Sequence, residues 1–228
     1  MEPDKVRDEH GFDVPRDMVS KYLSLKSDKP PVDTKWQELL EQAEEKQYRA
    51  GGLLPPKFVA AVSEGIPNAY RSRVWLLLSG SASRMSDQST GRGSYAQLLE
   101  AGRTLSERGG EETVAAIDRD LHRTFPGHPK LTTSFLASTK NILLAYSARS
   151  PEVAYCQGMN FVCAAILMFI LDEESAFWML CYVVEEVLID HYVQSMIGHK
   201  VHQHLMTPPG LTPQHPVPPI SAGGSAAH

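Results

Sequence analysis

The sequence predicts an all-α fold, and three observations lead to that prediction. From Pro56 to Val201, apolar residues recur at helical spacing, and the alternation typical of β-strands is nearly absent. Prolines, acidic pairs and glycines stand where helices are expected to begin and end. Hydrophobic residues make up 42% and charged residues 21% of the 228 residues, so the chain is long and apolar enough for one domain with a core.

Residues 1–55 are predicted to be a polar N-terminal extension with one helix. This helix runs from about Lys35 to Ala50, and Trp36, Leu39 and Leu40 form an apolar stripe along it. Such a stripe is enough to pack on a larger body but not to build a core. Glycines and prolines after the helix then mark a break before the helical domain.

The helical domain is predicted to span residues 56–201 and to contain six helices. Pro67 suits the first turn of one helix, which Gly80 closes. Asp172 suits the N-cap of the last helix. The stretch from Gly158 to Leu171 is apolar on all faces, which is typical of a central buried helix. The predicted helices are residues 67–80, 95–105, 111 to the residue before Pro126, a segment through Phe135 and Tyr146 that stops before Pro151, 158–171 and 173–189.

Residues 202–228 are predicted to be a disordered tail rich in Pro, Gly and Ser. After Lys200 the sequence has no Asp, Glu, Lys or Arg, and six of its 16 prolines fall between Pro208 and Pro219. This composition cannot form a packed core, and part of it is expected to be extended polyproline II. Two Pro-x-x-Pro spacings, at 213–216 and 216–219, suggest a weak SH3-type contact.

The composition argues against several classes of protein. A net charge of −5 and a pI of about 6.0 leave no broad basic surface for nucleic acid. The longest apolar run has 11 residues, whereas roughly 18 are needed to span a bilayer, so we expect no direct membrane insertion. The charged N-terminus does not resemble a secretory signal. Cys156, Cys163 and Cys181 show no Cys-x-x-Cys pairing, so we expect buried thiols in a reducing, cytoplasmic compartment.

Three segments are candidates for chemistry: Gly65-Ile66-Pro67 leading to Arg71 and Trp75, Ile117 to Thr124, and Tyr155 to Asn160. A structural role is the first explanation for the polar residues of the first two. Arg71 and Trp75 are one helical turn apart, which favours a guanidinium packed on an indole. Arg123 is expected in the last turn of its helix, where a positive charge is favourable, and Asp120 is placed to pair with it.

The third segment is harder to explain by structure alone. Gln157 is a polar amide at the start of a strongly apolar helix, and Gly158 allows another backbone to approach closely. Helix capping is the structural alternative for Gln157. Tyr155 and Asn160 are consistent with ordinary junction residues, since an Asn side chain often bonds to nearby backbone.

Two further clusters give weak signals. His199, His202 and His204 have the residue type for a metal site, but no carboxylate or cysteine ligand accompanies them. Cys156 beside His122 or His128 resembles a nucleophile and base, yet nothing in the sequence orients the imidazole. We therefore assign no metal site and no nucleophilic pair.

The three segments, in this order and spacing, resemble the signature motifs of the TBC domain, a family of GTPase-activating proteins for Rab GTPases. The similarity covers about residues 65–198, with weaker echoes at 10–12 and 35–36. The matching positions are Gly65-Ile66-Pro67 with Arg71 and Trp75, then Ile117-x-x-Asp120-x-x-Arg123, Tyr155-x-Gln157-Gly158 and Ala176-Phe177-Trp178.

The resemblance implies a mechanism in which two side chains assist GTP hydrolysis on a partner. Arg123 would be an arginine finger that stabilises charge on the phosphate oxygens, and Gln157 a glutamine finger that orients the attacking water. Asp120 would hold Arg123, and Tyr155 and Asn160 would brace the loop. The chain needs no cofactor of its own under this mechanism, because GTP and Mg²⁺ arrive with the Rab.

The sequence departs from the family at its C-terminal side. In this family the domain continues beyond the position of Gly198 with a second helical half, so the chain resembles a truncated isoform. Two alternatives to a GTPase activator therefore remain open: a non-catalytic module that binds GTPases without activating them, and a product that does not fold stably. The missing half is expected to leave apolar surface exposed at Val183, Val184, Val187 and Leu188.

Overall fold

The structure, a computed structural model, describes residues 5–8, 10–19, 33–50, 54–81, 85, 93–188 and 191–192. Its first element is a β-hairpin that the sequence did not predict. Strands β1 (Lys5–Arg7) and β2 (Asp13–Pro15) pair antiparallel. Between them, one carboxylate oxygen of Asp8 accepts the backbone N–H groups of both His10 and Phe12. Because each strand has only three residues, no alternating pattern is long enough to be read from the sequence.

The apolar stripe of the N-terminal segment packs on helices of the helical domain, as predicted, and forms a second, smaller cluster with them. Helix α1 (Asp33–Ala50) buries Trp36 and Leu40. These side chains meet Phe58 of α2 (Pro56–Glu64) and Val74 of the next helix. The buried residues of α1 follow the i, i+4 spacing of one helix face, so the face is apolar enough to close a cluster with two other helices.

Six helices follow, and their bounds are close to the predicted ones. They are α3 (Asn68–Leu78), α4 (Tyr95–Arg103), α5 (Glu111–Leu121), α6 (Thr133–Arg149), α7 (Met159–Phe169) and α8 (Glu173–Tyr182). A short 3₁₀ turn (Ser106–Arg108) follows α4, and a π-helical turn (Val183–Val187) follows α8. The predicted helix end at Ile189, the histidines 199, 202 and 204, and the tail 202–228 lie outside the described residues.

Side-chain caps fix where several of these helices begin. Asp172 accepts the N–H of Ser175, which confirms the predicted N-cap of α8. Ser94 forms a capping box with Gln97 at α4. Pro67 precedes the first helical residue of α3 instead of lying in its first turn.

Helix α6 is the centre of the main core, because α4, α5, α7 and α8 all pack against it. The approach of α4 is closest at Gly102, where an added Cβ would lie 2.5 Å from the backbone oxygen of Leu144. Ile142, Leu143 and Tyr146 of α6 are almost fully buried in this core. Helix α7 is also largely buried, as predicted for this segment, since seven of its 11 residues are buried.

Helix α7 and the residues after α8 differ from expectation. One face of α7 is solvent-accessible at Phe161, and Leu171 lies beyond the helix with 83% of its surface exposed. After α8, Val184 is buried and Val187 is exposed, so the expected apolar patch is only partly present. The π-helical turn is attached to α6 by an ion pair between Arg149 Nε and Glu185 Oε1 at 2.8 Å.

The cysteines are mostly as predicted. Cys163 and Cys181 are buried, whereas Cys156 is half-buried and donates weakly to the carbonyls of Val153 and Tyr192. Burial raises the pKa of the Cys156 thiol, which disfavours the thiolate that a nucleophile would need. None of the helices in the described ranges is long and apolar enough to cross a bilayer.

Candidate functional site

Arg123 lies in the turn that follows α5, not in the last turn of the helix as predicted. Helix α5 ends at Leu121, and the N–H groups of Arg123 and Thr124 bond to the carbonyls of Asp120 and Leu121. Pro126 is five residues past the helix end and therefore does not set it. The turn leaves 54% of the Arg123 side chain exposed to solvent.

The guanidinium of Arg123 is oriented by the carboxylate of Asp120. Arg123 Nη2 lies 2.7 Å from Asp120 Oδ1, and the Asp120 side chain is only 9% exposed. A guanidinium carries five N–H donors in a fixed fork. Arg123 is therefore able to hold Asp120 and to donate to a further acceptor in the same orientation.

A hydrogen bond of Tyr155 fixes the other oxygen of the same carboxylate. The Tyr155 hydroxyl donates to Asp120 Oδ2 at 2.7 Å. Burial and this hydrogen bond raise the pKa of Tyr155 well above its usual value, so the hydroxyl stays protonated and remains a donor. Asp120 is thus held between a tyrosine from one segment and an arginine from another.

Asn160, in the first turn of α7, connects the two segments through its amide. Its Nδ2 donates to Thr124 Oγ1 at 2.8 Å and to the carbonyl oxygen of Asp120 at 3.3 Å. Its Oδ1 accepts the N–H of Gly158 at 3.2 Å. Asn160 is fully buried, so these bonds satisfy the amide and tie the loop before α7 to the turn after α5.

Gln157 projects from the loop before α7 into solvent. Gly158 is the N-cap of α7 and has φ 102°, which a residue with a Cβ rarely adopts. This conformation turns the chain sharply between Gln157 and the helix. Within the described part of the chain, no side chain caps α7 at this position, so the capping role considered for Gln157 is wrong.

Both candidate side chains line one open cavity of about 300 Å³. Its walls come from the last turns of α5, the turn after it and the loop before α7. The lining residues are Ala116, Arg119, Asp120, Arg123, Tyr155 and Gln157. Two guanidiniums, one carboxylate and a primary amide therefore face the same space, an arrangement suited to an anion and a water molecule.

Arg71 and Trp75 are not among the residues that line this cavity. The guanidinium of Arg71 lies 4.8 Å from the ring centroid of Phe169 and donates to the carbonyl of Ile66. Trp75 packs edge-on against the same ring at 5.2 Å. The stacking partner of Arg71 is thus Phe169 of α7, and both residues join α3 to α7.

Comparison with known families identifies the domain that contains this cavity. Residues 68–207 match the model of the Rab-GTPase-TBC domain, which is more than half of the chain. The chain belongs to the TBC-domain family. The matched range contains the helices α3 to α8 and the whole cavity wall, so the candidate site lies inside the TBC domain.

Several relatives carry TBC-protein names. The chain is 34% identical to human growth hormone-regulated TBC protein 1 over 87% of its own length and 57% of the relative's. It is 32% identical to the Xenopus tropicalis protein of that name, over 75% and 47% of the two lengths. It is 30% identical to growth hormone-regulated TBC protein 1-A of Danio rerio, over 87% and 52%. The chain spans about half the length of these relatives.

A solved structure confirms the helical TBC fold. The crystal structure of the Chlamydomonas flagellar RabGAP TBC domain superposes with a TM-score of 0.56 at 23% identity. The superposition covers 87% of this chain and 67% of the other. This likeness supports the all-α assignment of the TBC domain.

Sequence reasoning missed Arg119 and gave Thr124, at the end of its candidate segment, no role. Arg119 lines the cavity four residues before Arg123, a spacing that places both on one face of α5 and its extension. Thr124 is buried and accepts the Asn160 amide. No group of three or more potential metal ligands occurs in the ranges that the structure describes.

Proposed function

We propose that the TBC domain accelerates GTP hydrolysis by a Rab-family GTPase and that Arg123 and Gln157 are its two fingers. The observation that supports the proposal is the shared cavity, which Arg123 and Gln157 line from different segments of the chain. GTP and Mg²⁺ belong to the partner under this proposal. The TBC domain contributes one cation and one amide to the partner's active site.

Arg123 has the properties of an arginine finger. It is permanently charged, half-exposed and oriented by Asp120 at 2.7 Å. Charge accumulates on the phosphate oxygens during GTP hydrolysis, and a guanidinium that is already oriented stabilises it without reorganisation. Removal of an arginine finger typically lowers the rate roughly 10³- to 10⁵-fold.

Gln157 is suited to the second role because its carboxamide is a donor and an acceptor at once. The carbonyl oxygen accepts a hydrogen bond from water, while the NH₂ group donates to a phosphate or to the partner's backbone. A hydrolysing GTPase needs its attacking water held in line with the leaving phosphate. Gln157 is exposed on the loop that Gly158 and Asn160 fix.

Single-turnover GTP hydrolysis by a panel of purified Rab GTPases tests the proposal. The full chain is compared with Arg123→Ala and Gln157→Ala, and Arg119→Ala serves as the matched arginine control because it lines the same cavity. We expect Arg123→Ala to abolish the acceleration and Gln157→Ala to reduce it strongly. Arg119→Ala should mainly raise the concentration needed for half-maximal rate.

Three other results would each contradict a part of this proposal. An acceleration that survives both finger substitutions would remove the assignment of Arg123 and Gln157. If the wild-type chain binds a GTP-loaded Rab without accelerating hydrolysis, it is a non-catalytic binding module. If it shows no cooperative thermal transition, the chain does not fold stably by itself.

A further inference from the structure

The tip of the β1–β2 hairpin, which comprises Asp8 and His10–Phe12, lies against the turn that carries Arg123. The backbone oxygen of His10 accepts a hydrogen bond from His128 Nε2 at 3.0 Å. The Phe12 ring packs on His128 and on Phe125, with centroids 4.6 and 5.0 Å apart. The segment that sequence reasoning treated as an extension therefore contacts the residues immediately after the proposed arginine finger.

This contact depends on a close approach between the backbone at Gly11 and the side chain of His128. Gly11 has φ 101°, and an added Cβ would lie 2.9 Å from His128 Nε2. The carboxylate of Asp8 holds the tip in shape by accepting two N–H groups. The hairpin tip is therefore a preformed surface that fits the ring of His128.

His128 is locked by partners on both sides of its ring. Nε2 faces a carbonyl oxygen and must donate, whereas Nδ1 faces the N–H of Lys130 at 3.2 Å and must accept. This pair of contacts fits the tautomer that carries a proton on Nε2. His128 is buried, and its two bonds connect the hairpin tip to the end of the turn.

Phe125 gives the turn a strained backbone conformation. Its φ of 41° lies in the left-handed region, which is uncommon for a bulky residue without special packing. Two rings hold it there: Phe12 from the hairpin and Phe161 from α7, at 5.0 and 5.1 Å. Arg123 is only two residues away, so the backbone of the finger depends on how Phe125 is held.

The opposite side of the turn is already anchored. Thr124 is buried, donates to the carbonyl of Asp120 and accepts the amide of Asn160. The turn is thus fixed by α5 and α7 on one side and by the hairpin on the other. Without the hairpin contact, Phe125 keeps one ring contact with another element among the described residues. That contact is with Phe161 of α7.

We propose that Phe12, at the hairpin tip, is a positioning residue that acts through Phe125 to hold Arg123 at the cavity. The proposal rests on the proposed function in one respect only, namely that Arg123 is the finger. Phe12 itself does not line the cavity. Its effect is therefore expected on the conformation of the turn and on the maximal rate, not on the affinity for the GTPase.

Hydrogen exchange of the full chain, measured by mass spectrometry, tests the conformational part without any activity. The variants are Phe12→Ala, the conservative Phe12→Tyr that keeps the ring, and Tyr70→Ala as a matched control. Tyr70 is also half-buried and stacks on Trp36 in the smaller core. Loss of an aromatic pair changes a conformational equilibrium about two- to tenfold. The rate of amide exchange in residues 122–128 should therefore rise by that factor in Phe12→Ala and in neither of the other variants.

Single-turnover hydrolysis then tests the connection to Arg123. Phe12→Ala should lower the maximal rate with an unchanged half-saturating concentration, and Phe12→Tyr should restore it. In an Arg123→Ala background, Phe12→Ala should have no further effect, because the group that it positions is gone.

Two results would overturn the positioning role. One is unchanged exchange in residues 122–128 of Phe12→Ala, and the other is a rate loss that persists undiminished in the Arg123→Ala background. If the wild-type chain accelerates no GTPase, the proposed function fails, while the exchange measurement still decides whether the hairpin holds the turn.

Discussion

The hydroxyl of Tyr155 lies 2.7 Å from Oδ2 of Asp120 and joins the two segments that carry the proposed fingers. Asp120 Oδ1, on the other side of the carboxylate, lies 2.7 Å from Arg123. One carboxylate therefore receives a neutral donor from the loop before α7 and a charged donor from the turn after α5. Through Asp120, the Arg123 side chain is therefore connected to the segment that carries Gln157.

Tyr155→Phe tests the contribution of that hydroxyl to stability. Loss of a hydrogen bond to a charged acceptor should lower the free energy of unfolding by about 1–3 kcal/mol at pH 7, as measured by urea denaturation. The Arg123–Asp120 ion pair stays in place, so the proposed acceleration of GTP hydrolysis should fall less than in Arg123→Ala. Unchanged stability would show that the bond contributes nothing in solution.

The same variant has a pH signature. Burial raises the pKa of Tyr155 above its ordinary value of 10.0, so the unfolded chain loses this proton at a lower pH than the folded chain. The stabilisation is complete below pH 10 and declines as the pH rises, by at most about 1.4 kcal/mol per pH unit and less because the side chain is half-buried. The stability gap between wild type and Tyr155→Phe should therefore narrow above pH 10. A constant gap from pH 7 to 11 would contradict this.

Asp120→Asn removes the charge that orients Arg123 and keeps the shape of the side chain. The guanidinium should then sample other positions, and a small displacement of a group that stabilises a transition state costs up to about 100-fold in rate. The matched control is Asp118→Asn, which removes an acid from the same helix, where it pairs with Lys140. Single-turnover hydrolysis should fall in Asp120→Asn and remain near wild type in Asp118→Asn; equal rates in the two variants would argue against the orienting role.

Gly158→Ala tests the loop that carries Gln157. An alanine at φ 102° is strained, so the loop should shift and the acceleration should fall. Gly109→Ala is the matched control, because Gly109 has φ 84° and lies in the turn before α5. Each substitution should lower stability by about 1–2 kcal/mol. Only Gly158→Ala should lose activity beyond what its stability explains, and a comparable loss in Gly109→Ala would remove the special role of the loop.

Gly102→Ala tests the packing of α4 on α6. In an exposed helix this change stabilises by up to about 1 kcal/mol, but here the new Cβ would lie 2.5 Å from the backbone oxygen of Leu144. We therefore expect destabilisation by about 1–3 kcal/mol, as for other overpacked cores, and a larger loss in Gly102→Val. Thermal melting provides the measurement, and a stabilised alanine variant would show that α4 is free to move away.

Much of the fold was predictable because helices leave local signals. The cap at Asp172 and the apolar periods of α5 and α6 lie within a few residues of the structure they specify. The hairpin was not predictable, since strands of three residues carry no usable pattern. The exposure of Leu171, which follows α7, was also missed, because an apolar run does not indicate where burial stops.

The candidate site was predictable in most of its residues, Arg119 excepted, but not in its connections. The spacing of Asp120 and Arg123 predicts an ion pair, and the structure contains it, although Arg123 lies in the turn after α5. The bonds from Tyr155 to Asp120 and from Asn160 to Thr124 span 35 and 36 residues. Contacts at that separation depend on how α5 and α7 pack, which local sequence patterns do not encode.

The bond between His10 and His128 closes a span of 118 residues. On the ribosome the hairpin is made before the turn that receives it, since Phe125 and His128 come later in the chain. A loop of that size closes at a high entropic cost, so this docking belongs to the late steps of maturation. The hairpin therefore has a docking surface only after the turn that follows α5 has been synthesised.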